Sequence, residues 1–165
     1  MQVRCNLMKR LLFILTILFL ANYSSAQDSL ALKQQYCFHY LQDSTLNRID
    51  YGCGWAGLTS TNLYYFRYLI SGNRFDLISK LLDSETASTR YLAAASIIRA
   101  DKKSHFKPDS LTVLKIKVVT QDKETIPFCS GCTGHWNYSI KRLLDKKEKT
   151  PMAKWTNDWI DDSFK

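Results

Sequence analysis

The sequence predicts an all-α fold of antiparallel helix pairs, about six to seven helices in one domain. Two observations carry that expectation. Apolar residues recur at three- and four-residue spacing through most of the chain, and Ser/Asp/Pro starts and Gly/Asn stops punctuate those runs.

Residues 1–26 are set apart as a cleavable secretory signal. Arg4, Lys9 and Arg10 precede an eleven-residue uncharged run, Leu11 to Ala21, and Ser24-Ser25-Ala26 offers a small-residue exit. That run is shorter than the roughly 20 apolar residues a membrane-spanning helix needs, and no later stretch is longer. The expected location is secreted or periplasmic, with cleavage near Ala26 and no membrane span in the mature chain. Cleavage leaves 20 basic and 15 acidic residues on 27–165, a net charge of +5. No nucleic-acid module accompanies that charge, so nucleic acid is not an expected partner.

The first mature helix is predicted over Gln27 to Gln42, with Leu30, Leu32, Tyr36, Phe38, Tyr40 and Leu41 among polar residues. Asp43 to Gly57 reads as a long connection, since Asp, Ser, Asn and three glycines surround Cys53. The next helix, Leu58 to Ile70, is unusually aromatic. Tyr64, Tyr65, Phe66 and Tyr68 spread over more than half its circumference, so it either lies near the centre of the core or shows rings to a partner.

Ser71-Gly72-Asn73 ends that helix, and Arg74 to Leu82 begins another. After a polar break, Ser88 or Thr89 is expected to cap Arg90 to Ala100, whose successive alanines let a neighbour approach closely. Residues 110–121 fit either strand alternation or a helical face, and Pro108 and Asp109 ahead of Leu111 favour helix. Lys123 to Asn137 reads as loop, Tyr138 to Lys146 as a short helix with a basic end, and Thr150-Pro151 as the start of a last helix bearing Trp155, Trp159 and Ile160.

The stretch Phe75 to Ala100, FDLISKLLDSETASTRYLAAASIIRA, resembles a HEAT-like helical repeat. Leu81-Leu82-Asp83 would close its first helix and Arg90-Tyr91-Leu92-Ala93-Ala94 would open its second. The resemblance covers about 26 of the 165 residues and implies a HEAT/armadillo-like α-α superhelix that binds through helix faces. It transfers no catalytic residue. Trp55, Tyr64, Tyr65, Arg67 and Trp136 form the best candidate binding set, because rings and arginine dominate interfaces.

Four cysteines follow the signal: Cys37, Cys53, Cys129 and Cys132. An even number in an exported chain reads first as disulfides. The local pairs, Cys37–Cys53 and Cys129–Cys132, are the shortest choice. The cross-domain pairings close longer loops and contribute about 4 to 5 kcal/mol each by chain entropy, against about 2 to 3 for the local ones. Cys129-x-x-Cys132-x-x-His135 supports a competing reading, a zinc or thiol-redox site with Cys53, His39 or water as fourth ligand. His39 and His105 lack an acid–base partner at recognisable spacing, and nucleophile-elbow, zinc-helix and phosphate-loop motifs are missing.

Lys141, Arg142, Lys146, Lys147 and Lys149 make a basic cluster, and Asn137-Tyr138-Ser139 fits a glycosylation acceptor. The sum is an exported, disulfide-bonded binding module without catalysis, acting on another protein and needing no cofactor.

Overall fold

The computed structural model describes residues 29–54, 56–131, 134–145 and 147–165. The chain divides into two compact units, Met1–Gln35 and Tyr36–Lys165. The first contributes only the opening turns of helix α1, residues 29–43, to the described residues. The signal segment, residues 1–26, lies outside them.

The second unit is not all-α. Three strands, β1 (Ile49–Cys53), β2 (Thr125–Gly131) and β3 (Gly134–Ser139), form a mixed sheet in the order β1-β2-β3. β2 runs parallel to β1 and antiparallel to β3. The stretches expected as a connection before Gly57 and a loop before Asn137 therefore hold the sheet. The helices are α2 (Thr61–Ser71), α3 (Phe75–Lys80), α4 (Ala87–Lys102), α5 (Ser110–Val119), α6 (Ile140–Leu144) and α7 (Pro151–Ser163), with a 3-10 turn over Leu81–Asp83.

An α-α superhelix is not formed. Instead α4 is enclosed: it packs on α3, α5, α6, α7 and β2. Tyr91, Leu92, Ala93, Ala94, Ile97 and Ala100 are buried around its circumference, as a central helix requires. Thr86 stands at its N-cap position, so Ser88 and Thr89 lie within the helix and are fully buried, not at its cap. The alanines leave room for the sheet, and Phe128 of β2 meets Tyr91 edge-on, with ring centroids 6.1 Å apart.

Two starts follow the expected chemistry. The Asp109 side chain accepts from Thr112 N at 2.7 Å and begins α5, so residues 110–119 resolve as helix. The Thr150 hydroxyl accepts from Ala153 N at 3.1 Å, with Pro151 in the first turn of α7. α5 buries only Thr112 and Val119 and leaves Leu111, Leu114 and Val118 exposed.

The sheet reaches its geometry through two residues that obscured it. Pro127 stands one residue ahead of the first β1 register pair, Ile49 with Phe128, where β2 has a strand on one side only and tolerates a missing amide donor. Gly52 takes a left-handed φ of 70° and admits one extra residue to β1, since Asp50 pairs with Cys129 but Cys53 with Gly131. Side chains alternate along a strand, so this bulge brings Cys53 to the face that Asp50 already occupies.

Candidate functional site

Two constellations stand out, and they use different parts of the chain. The first is a surface of tyrosines. On α1, Tyr36 and Tyr40 are four residues apart and share one helix face; on α2, Tyr64 and Tyr68 do the same. Tyr65 joins the two helices, with its ring centroid 6.0 Å from Tyr36, 4.5 Å from Tyr40 and 5.6 Å from Tyr64. Tyr64 meets Tyr68 at 5.0 Å, and its hydroxyl lies 3.1 Å from that of Tyr68.

These rings are held by the core beneath them. Cys37, Phe38 and Leu41 are the buried side of α1, and Leu63, Phe66, Leu69 and Ile70 are that of α2. Tyr36 and Tyr64 remain 61% and 53% exposed, well above what a core aromatic retains. Burial, followed by the hydrogen bond with Tyr36, raises the Tyr65 phenol above its ordinary pKa. Beside this surface a cleft of about 470 Å³ is lined by Tyr36, His39, Tyr40, Asp43, Ser44, Thr45 and Leu46.

The cleft wall is tied to the core by buried polar groups. The Asn62 amide donates to Leu46 O at 2.9 Å, the Ser88 hydroxyl donates to the same oxygen at 2.9 Å, and Ser88 N donates to Asn47 Oδ1 at 2.8 Å. Asn62 and Ser88 are both 0% exposed, which makes these bonds costly to lose.

The second constellation is the bridge Cys53–Cys129, which spans 76 residues and joins neighbouring strands. It is a long-range pairing and not one of the two local ones. By chain entropy a loop of that length contributes about 4 to 5 kcal/mol. Cys129 is 1% exposed and Cys53 partly so. Arg48 Nη2 donates to Cys53 Sγ at 3.1 Å, while its Nε donates to Asp50 Oδ1 at 2.6 Å. An Asp50 oxygen and the two sulfurs lie within 4.8 Å of one another.

That pairing bears on the predicted zinc set of Cys129, Cys132 and His135. A bridged sulfur has no thiolate to offer a metal, and Cys129 is bridged. Cys132 lies outside the described residues, and His135 is exposed opposite Cys129 in the β2–β3 ladder. Cys37 is buried in α1 and takes no part in the bridge.

Among the described residues, the predicted binding residues do not form one surface. Tyr64 and Tyr65 lie at the centre of the tyrosine face. Arg67 turns toward the end of α7, with Nε 3.5 Å from Ser163 Oγ. Trp136 on β3 packs edge-on against Trp155 of α7 at 6.0 Å. Trp55 is outside the described residues.

Tyr36, Tyr40 and Tyr68 were missing from the predicted set, although their four-residue spacings were the signal that could have found them. In the basic cluster, Arg142 pairs with Glu148 and lies over the Tyr138 ring at 5.3 Å. Lys146 lies outside the described residues. His105 stacks on Phe164 at 4.4 Å. Comparison with family models, curated proteins and solved structures gives no match to this chain.

Proposed function

We propose that this chain is an exported binding module, without catalysis of its own on that surface, which recognises another protein through the tyrosine face of α1 and α2. The observation that carries the reading is the unbroken contact among Tyr36, Tyr40, Tyr64, Tyr65 and Tyr68 on a helical scaffold, with two of the rings more than half exposed. Tyrosine supplies a large contact area and a polar tip at low entropic cost, and rings already braced against one another lose little freedom on binding.

A protein partner fits this surface better than a sugar. The Tyr36–Tyr65, Tyr64–Tyr65 and Tyr64–Tyr68 contacts are edge-on, with interplanar angles of 80°, 65° and 72°. Rings set at steep angles to one another present a relief of edges, faces and hydroxyls that an irregular protein surface can match, and they do not make one coplanar platform. Export is supported by the basic–apolar–small pattern of residues 1–26 and by the cross-strand disulfide.

Co-purification from the exported fraction of the native host tests the reading. Wild type and Trp136→Ala retain one stoichiometric protein, and the double variant Tyr36→Ser/Tyr64→Ser loses it. Equal retention by all three contradicts the reading.

A further inference from the structure

We propose that the Cys53–Cys129 bridge is a redox-active site that takes thiols as its substrate, with Arg48 as the group that holds Cys53 as a thiolate once the bridge opens. The inference is separate from the binding surface and rests on the sheet face that Asp50, Cys53 and Cys129 share.

Three features set this bridge apart from a plain staple. The Gly52 bulge places Asp50, Cys53 and Cys129 together, with their ligating atoms within 4.8 Å of one another. A guanidinium, which never loses its charge, touches one sulfur and not at random: Arg48 Nη2 is 3.1 Å from Cys53 Sγ, and Asp50 fixes the other side of the same guanidinium at 2.6 Å. The two cysteines differ in exposure, Cys129 being 1% exposed and Cys53 half-buried on an edge strand.

The consequence follows from charge. A cation beside a cysteine favours thiolate over thiol, and any group that stabilises the reduced form makes the disulfide a stronger oxidant. Arg48 acts only on the reduced state in this way, because the bridged sulfur carries no charge for it to neutralise. Asp50 opposes it, since a carboxylate near the sulfurs disfavours a thiolate. The pair thus sets the poise of the bridge with opposite signs.

The reaction balances with two thiols as co-reactant, either one dithiol or two molecules of a low-molecular-weight thiol. A substrate thiolate attacks Sγ of Cys53, the more exposed of the two cysteines. A bond forms between the substrate sulfur and Cys53, the Cys53–Cys129 bond breaks, and its electron pair goes to Cys129, which takes a proton. A second substrate thiolate then attacks the substrate sulfur of the mixed disulfide. The substrate leaves as a disulfide, oxidised by two electrons, and Cys53 departs as a thiolate beside Arg48.

Equilibration of the full chain with reduced and oxidised glutathione tests this, with acid quench, alkylation and the mass of the peptide carrying Cys53 as readout. Wild type passes from bridged to alkylated Cys53 within the accessible glutathione range. Arg48→Met shifts the equilibrium constant about tenfold toward the disulfide, which is about 30 mV for this two-electron couple. Asp50→Asn keeps an acceptor for Arg48 Nε, removes the opposing charge and shifts the constant toward the dithiol. The opposite signs separate the proposal from a loss of folding, which would move both variants the same way. A bridge that glutathione never opens, or two variants within twofold of wild type or shifted in the same direction, overturns it.

Discussion

Asp161 on α7 receives the Arg99 guanidinium of α4 on both carboxylate oxygens, and Lys103 reaches the same carboxylate at 3.0 Å. The last helix is thereby fastened to the central one by ions as well as by apolar contact. The Arg99 hydrogen bond, with Lys103 behind it, holds the Asp161 carboxyl at about 2, below its ordinary 3.8. A depressed folded pKa stabilises the fold above the unfolded value and is lost as pH falls through the folded one. Allowing for solvent screening, the contribution is about 1–2 kcal/mol. Asp161→Asn is therefore less stable than wild type at pH 7 by that amount in urea denaturation, and the gap closes between pH 4 and pH 2.

Gly52 holds the bulge that brings Cys53 to the face of Asp50. A Cβ added there meets only Gly57 O at 3.8 Å, so space is not the constraint; the left-handed φ is. Gly52→Ala is expected to cost about 1–2 kcal/mol. The denaturation midpoint of the oxidised protein measures it, and an unchanged midpoint would show that β1 reaches Cys129 without this conformation.

The Asn62 amide links α2 to the loop that walls the cleft. Asn62→Ala withdraws a buried donor from Leu46 O, which keeps its bond from Ser88. A loss of about 1–2 kcal/mol is expected, together with faster amide exchange over residues 44–47 than elsewhere. Uniform acceleration over the whole domain would place the effect outside the loop.

Phe128 joins the sheet to α4, being 1% exposed with Tyr91 and Tyr138 both edge-on to it. Phe128→Ala opens a cavity between layers that cannot close without moving the bridge at Cys129. Its expected cost of about 3–5 kcal/mol is readable from denaturation curves, and a cost under 1 kcal/mol would mean that the layers are not packed through this ring.

The helices were legible because each carries its signal within one or two turns: Pro151 behind Thr150, Asp109 ahead of Leu111, the alanines of α4. The sheet was not, because its signals are non-local. β1 is written as Ile-Asp-Tyr-Gly-Cys beside further glycines, β2 contains a proline, and the two strands that pair in parallel are separated by more than 70 residues. Local periodicity cannot announce such a pairing, and the bulge at Gly52 further breaks the alternation that would have marked β1. Of the site, Tyr64 and Tyr65 were legible as an aromatic excess. Tyr36 and Tyr40 were absorbed into the apolar pattern of α1, and the partner of Cys129 depended on the unseen sheet.

Site-specific photo-crosslinking tests the central claim most directly. A benzophenone amino acid is placed at Tyr64, at Trp136 or at Leu114 on the exposed face of α5, and each protein is irradiated in the exported fraction of its host. Tyr64 is predicted to give one discrete protein adduct that Tyr36→Ser abolishes, and Trp136 and Leu114 to give none. An adduct from Leu114 or Trp136 with nothing from Tyr64 would contradict the assignment of the tyrosine face as the binding surface.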